Sequence, residues 1–356
     1  MARTIDGRLA YADLLRVLAT IAVVILHVSG SWLYQATPGT SAFTVLCTYD
    51  SLTRWCVPMF VMLSGAFLLD PQKSVTLRTI FLRYILRVLI ALLVWGTLYA
   101  LYDYGHESWH FSWAGIKRAL THVLWTDTHY HLWFLYVIIG LYLITPLLRA
   151  FVRGASRRDF HWFFLLVFVF YSLLPTLRSM FPDQMALVST WSDRLNIHLV
   201  LGYVGYYVAG FYLKKFTLGR LAEFIIYILG ILGAVATVFG TLTLSARSGS
   251  FYDALFEYRS PNVVFMAVAV FVLFRYVLGV SDERSRRHRL IGVSRITFGI
   301  YLVHVFFIIL LDLLHITALS FNPIIAVPVL SAAVFLCSFA VSWLISKIPL
   351  LGRFLT

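Results

Sequence analysis

Ten apolar stretches, each about long enough to cross a bilayer, follow one another along this chain with little polar sequence between them. They run at about 11–33, 53–69, 80–102, 131–149, 160–180, 197–213, 221–244, 261–279, 293–314 and 322–346. A membrane-crossing helix needs about 20 mostly apolar residues, and inside lipid the backbone can satisfy its hydrogen bonds only as a helix or a closed barrel. The pattern predicts an all-α, polytopic membrane helical bundle of about ten transmembrane helices. Composition agrees: 60% of the 356 residues are hydrophobic and 13% charged, more apolar surface than a soluble interior of this size can bury. No long polar stretch divides the chain, so residues 1–356 read as one membrane-embedded domain with no separate soluble domain. The first run lacks a small-residue cleavage site and carries Asp13, Arg16 and His27, so it reads as a retained helix and not a cleaved leader.

The net charge is +13. A nucleic-acid binder gathers such charge on one face, whereas here it lies in short clusters between apolar runs, so nucleic acid is not an expected partner and membrane lipid is. Of the 29 Lys and Arg residues, twenty fall in one alternating set of loops, six in the other, and Arg16, Arg54 and Arg295 at span ends. The positive-inside rule then places both termini in the cytoplasm, and a multi-pass protein of the plasma or inner membrane is expected. The three cysteines, Cys47, Cys56 and Cys337, are scattered and show neither metal-ligand spacing nor a disulfide framework. No permanently bound cofactor and no metal is expected.

Ionisable residues inside a span are costly, and each is a functional hypothesis. In the first span Arg16 and His27 are eleven residues apart, which brings them within about 20° of one another around a helix and separates them by roughly 16 Å along it. Asp13 lies three residues before Arg16 on the same side, too far along the helix to orient His27 and placed to pair with an Arg. The plainer reading of the same residues is a snorkelling Arg and a His satisfied by a neighbouring helix.

Arg, ten residues, then His in a first membrane helix resembles the signature of the acyltransferase 3 family, integral-membrane enzymes that acylate cell-surface glycans and related acceptors. The resemblance continues through PMFVMLSGAFLL (58–69), HLWFLYVIIGLYLITPLL (131–148) and TFGIYLVH (297–304), in family order. Many members carry Arg-x-x-Arg near the third helix; here Arg78, Arg83 and Arg87 stand there, the last two four apart. With no hydrolase-like domain after residue 347, the chain is similar to the short, stand-alone members.

The resemblance implies an acyl-CoA donor, most often acetyl-CoA, and a glycan or lipid-linked glycan acceptor. Arg16, Arg83, Arg87 and Arg295 lie at the expected cytoplasmic ends of spans, where guanidinium groups bind phosphate bidentately or face anionic lipid. His27, deeper along the first helix, is placed to act as general base on an acceptor hydroxyl. His131, Tyr301 and His304 are supporting candidates for acceptor binding, oxyanion stabilisation or proton relay. His131 and Trp133 also fit an ordinary interfacial belt, and His304 a satisfied core histidine. Ser64-Gly65 reads as a close-packing element in preference to a nucleophile. The aromatic stretch 102–134 reads as an interfacial belt or an acceptor platform. The alternative from another class is a secondary transporter with an Arg/His proton relay. Transporters of that kind show repeats and broken helices; no repeat is evident here, and no Gly or Pro interrupts residues 8–29.

Overall fold

The computed structural model describes residues 9–105, 113–125, 129–195, 202–278 and 289–356. Among these there is no β-strand. Helix α1 spans Ala10–Leu33, α2 Ser41–Thr53, α3 Cys56–Leu68, α4 Leu77–Asp103, α5 Trp113–Trp125, α6 Trp133–Gly154 and α7 Arg157–Met180. The second half contributes α8 Ala186–Leu195, α9 Val204–Lys215, α10 Arg220–Ser248, α11 Pro261–Tyr276, α12 Arg289–Leu313, α13 Pro323–Ser346 and α14 Pro349–Leu355.

Among the described residues eight spans are long and apolar enough to cross a membrane, with α2 and α3 counting as one span, Ser41–Leu68. That span begins earlier than residue 53, because the helix continues backward from a turn at Arg54–Trp55. The expected spans 197–213 and 261–279 correspond to the shorter helices α9 and α11; residues 196–201 and 279–288 lie outside the described residues, as do Trp109 and Phe111 of the aromatic stretch.

The spans differ in what they face. Helix α7 is 17% buried and α10 28%, and Phe224, Ile231 and Phe239 of α10 stand outward. Apolar side chains on that scale need lipid as their solvent. Helix α1 is instead surrounded, touching α2, α3, α11, α12 and α13, with Leu15, Ala19, Val23 and Leu26 in the core. Its ionisable residues therefore meet protein and not lipid, as the cost of charge in hydrocarbon requires.

Close helix approach explains the Ser64-Gly65 signal. A Cβ on Gly65 would lie 1.8 Å from the carbonyl oxygen of Tyr207 on α9, and one on Gly210 the same 1.8 Å from that of Met62. The glycines permit backbone-to-backbone contact between α3 and α9, while Ser64 lines the cavity described below.

Arg149, counted in the sequence among the loop charges, is 8% exposed. It donates to the carbonyls of Leu68 at 2.6 Å, Asp70 at 2.9 Å and Lys73 at 2.6 Å, satisfying carbonyls that the end of α3 and the following loop leave open. The Asp70 carboxylate accepts from Lys214 Nζ at 2.8 Å and from the Gln72 amide at 3.1 Å. Partial burial works against its charge, but the Lys214 ammonium and the amide outweigh this and hold the carboxyl below its ordinary range.

Candidate functional site

One end of α1 is fixed by a three-residue knot. Arg16 Nη1 donates to Asp13 Oδ1 at 3.1 Å and to Ser294 Oγ at 3.2 Å, and Ser294 Oγ donates to the same Asp13 oxygen at 2.6 Å. Asp13 is 5% exposed and Ser294 3%. The carboxylate lowers the cost of the embedded guanidinium, and the hydroxyl ties α1 to α12. Arg16 keeps 29% of its side chain exposed, so the knot orients the group without enclosing it.

The exposed part of Arg16 lines a cavity of about 430 Å³. Arg87 of α4 and Arg295 of α12 line it as well, with Ser64, Tyr142 and, at another part of its wall, Phe134 and Tyr301. Three guanidinium groups from three helices thus converge on one space in a span region that otherwise offers lipid. Arg87 also stacks over Phe298, 5.2 Å from the ring centroid. Arg83 does not line this cavity. It lies in a second, adjoining cleft of about 700 Å³ that shares Tyr84 and Arg87 with the first. Arg83 stands within the π-type turn Ile80–Ile85 and Arg87 just beyond it; both line the second cleft, and Arg87 lines the first as well.

Beyond Tyr301 the chain gathers histidines. His27 Nδ1 and His304 Nε2 are 2.7 Å apart, and their rings stack with centroids 4.9 Å apart. His304 is fully buried and His131 1% exposed. The His131 centroid is 6.3 Å from His27 and 5.5 Å from His304. Tyr301 packs on both His131 and His304, with centroids 5.8 and 6.0 Å away, and its hydroxyl donates to the His131 carbonyl. Tyr301 is therefore the wall shared by the arginine cavity and the histidine cluster. Among the described residues no group of three or more His, Cys, Asp or Glu side chains is arranged to hold a metal ion.

The hydrogen bonds determine the tautomers. His304 Nδ1 lies 2.6 Å from the Tyr301 carbonyl oxygen. A main-chain carbonyl only accepts, so His304 Nδ1 carries the proton and a neutral His304 offers Nε2 as acceptor. His27 Nδ1 must then be the donor across the 2.7 Å contact. This leaves His27 Nε2 unprotonated and without a hydrogen-bond partner among the described residues. A backbone carbonyl on α12 thereby orients a basic nitrogen on α1 through one intervening ring.

The remaining expected residues are placed as follows. Trp133 packs against Tyr203 and Tyr258, with ring centroids 5.6 and 5.7 Å away, so its ring meets protein aromatics. Sequence reasoning missed three groups. Ser294 gave no signal, since serine is ordinary in a helix. His129 lies with Nδ1 3.2 Å from His131 Nδ1 and stacks on Tyr99 at 4.6 Å; its spacing from His131 was visible, but not its partners. Arg54, read as a span end, has Nε 2.7 Å from Asp50 Oδ1, donates from Nη2 to Asp50 Oδ2 at 3.0 Å and sits over the Phe256 ring at 4.3 Å. The pair packs beside α1 one turn beyond His27, where a Cβ on Gly30 would meet Asp50 Oδ2 at 3.0 Å.

A family model described as an acyltransferase domain matches residues 9–346, which includes the arginines of the cavity, the knot and the histidine pair. No curated protein and no solved structure gives a significant match.

Proposed function

The chain belongs to the acyltransferase 3 family of membrane acyltransferases, and from that premise we propose that it transfers an acyl group, most simply acetyl, from cytoplasmic acyl-CoA to a hydroxyl of a cell-envelope acceptor such as a glycan or lipid-linked glycan. The observation that carries this reading is the arrangement along α1. At one end Arg16 opens into a cavity shared with Arg87 and Arg295. Eleven residues on, His27 presents a basic nitrogen. Guanidinium forks suit the pyrophosphate of CoA, and the roughly 16 Å rise from Arg16 to His27 is the path an extended pantetheine arm would follow past Tyr301 to bring the thioester to the histidines.

In the reaction the acceptor oxygen attacks the thioester carbonyl while His27 Nε2 takes its proton. The new imidazolium keeps its Nδ1–H on His304 Nε2, a bond that strengthens as charge develops. The C–S bond then breaks, and the leaving CoA sulfur receives the proton from His27 Nε2. His304 acts through His27 as a positioning residue, and Asp13 and Ser294 act through Arg16. The protein sits in the plasma or inner membrane in this reading, with both termini and the arginine cavity on the cytoplasmic side.

The test uses purified protein in nanodiscs with radiolabelled acetyl-CoA, together with mass spectrometry of surface glycans from wild-type and deletion cells. Transfer by wild type, its loss in folded His27→Ala with donor binding retained, and loss of O-acetyl groups in the deletion are expected. A wild-type protein that binds neither acetyl-CoA nor CoA in preference to ATP would refute the assignment.

A further inference from the structure

The cavity at Arg16 is too small to be the whole of a donor site, and a second basic space adjoins it. That cleft, about 700 Å³, is walled by Arg78, Arg83 and Arg87 from the start of α4 and by Arg353 and Phe354 from α14. Tyr84 and Arg87 belong to both spaces, so the two adjoin at these side chains. Arg78, Arg83 and Arg353 are exposed, and no Asp or Glu stands among the described residues that line the cleft. Arg87 meets the terminal carboxylate of Thr356, which leaves Arg78, Arg83 and Arg353 as like charges; they repel one another, and such a group is stabilised when a polyanion fills it.

Helix α14 is seated firmly enough to build a site. It touches α4, α12 and α13, and Leu355 and Thr356 are buried. Arg87 Nη2 donates to the main-chain oxygen of Thr356, and Gly299 of α12 allows the approach, since a Cβ there would lie 3.0 Å from Thr356 Cα. Arg353 stacks near Phe354, its guanidinium carbon 5.4 Å from the ring centroid. A flat aromatic beside arginines from two helices is the chemistry that recognises a phosphorylated nucleoside: a ring face for the base and guanidinium forks for the phosphate.

Building on the donor reading above, we propose that this cleft is the subsite for the 3′-phosphoadenosine head of CoA, with Arg78 and Arg353 clamping the 3′-phosphate from opposite walls and Phe354 lying against the adenine. The pyrophosphate then falls at Arg87, Arg16 and Arg295, where the two spaces adjoin. The C-terminal helix thereby becomes a specificity element, and the enzyme distinguishes CoA from carriers that share only the pantetheine arm.

The experiment compares acetyl-CoA with 3′-dephospho-acetyl-CoA on wild type, Arg353→Ala, Arg78→Ala and Arg353→Lys in nanodiscs of fixed lipid composition. Wild type is expected to prefer the 3′-phosphorylated donor by roughly tenfold or more in kcat/KM, the worth of one charge-assisted hydrogen bond. In either alanine variant the preference falls toward one, because the phosphate and its partner are removed from the same cycle, and Arg353→Lys retains part of it. Thermal unfolding of each variant confirms folding, and the ratio between donors cancels any general loss of activity. A wild type that turns over both donors equally refutes the subsite while leaving the transferase reading standing. So does a variant whose preference is unchanged. If Arg353→Ala alters the response to anionic lipid content but not the donor ratio, the cleft holds lipid headgroups and the proposal fails. A wild type that binds no acetyl-CoA at all refutes both readings.

Discussion

Replacing His304 tests the relay more sharply than replacing His27, because the two substitutions His304→Leu and His304→Gln separate packing from hydrogen bonding. His304 Nε2 accepts the Nδ1–H of His27 at 2.7 Å, and in the proposed reaction that bond fixes which nitrogen of His27 is offered to the acceptor. A neutral hydrogen bond contributes about 0.5–1.5 kcal/mol and one to a charged group about 1.5–3 kcal/mol. The bond changes from the first kind to the second as His27 takes up the acceptor proton. Leucine fills the buried site but accepts nothing, so the barrier rises by about 1–3 kcal/mol, or roughly 5- to 150-fold in kcat. Glutamine offers an amide oxygen and restores part of the rate. Donor affinity stays near wild type in both, since Arg16, Arg87 and Arg295 are untouched. The assay is single-turnover acetyl transfer across pH beside CoA binding on the same preparation, with thermal unfolding as the folding control. The rate profile of His304→Leu should shift along the pH axis, because the imidazolium of His27 has lost its partner, whereas a purely structural loss would lower the profile without moving it. A folded His304→Leu enzyme with wild-type kcat and an unmoved profile would refute the relay.

Three further outcomes follow from other parts of the fold. Asp13→Asn weakens the hold on Arg16 and should raise the KM for acyl-CoA several-fold with little change in kcat, checked by steady-state kinetics; an unchanged KM would mean that Asp13 does not orient Arg16. Gly65→Ala puts a methyl 1.8 Å from the Tyr207 carbonyl, and because backbone must move it should destabilise by about 1–3 kcal/mol or more, read as a lower unfolding temperature and poor recovery in detergent. The Asp70–Lys214 pair contributes up to about 1 kcal/mol. The Asp70 carboxyl is held below its ordinary value, so that contribution is present above an unfolded carboxyl pKa of about 4 and is lost as pH falls through the lower folded value. The difference in unfolding temperature between wild type and Asp70→Asn should therefore shrink from pH 5 toward pH 3 and stay constant from pH 5 to 7.

Much of this protein is written in one dimension. Apolar runs of bilayer length compel helices, because only a helix or a closed barrel satisfies a backbone in lipid. The eleven-residue interval from Arg16 to His27 gives their shared face and separation from helix geometry alone, and both were legible before any fold was known. Helical periodicity also suggested that Arg83 and Arg87 stand together, and the two do line one cleft; what periodicity could not tell is that Arg87 alone of the pair also lines the cavity of Arg16. Contacts between distant residues were likewise beyond reach. Ser294 meets Asp13 across 281 positions, and His304 meets His27 across 277. Arg149, a loop charge by sequence, is a buried clamp on the end of α3, and Arg353, an ordinary basic residue near the end of the chain, becomes the wall of a cleft. Local interactions and the demands of lipid act on every residue where it stands, so sequence alone determined the spans and the facing of α1. Which atoms of α1, α4, α12 and α14 converge depends on side-chain packing between helices remote in the chain, so only the tertiary structure decided the tautomer of His27 and which arginines line the two adjoining basic spaces.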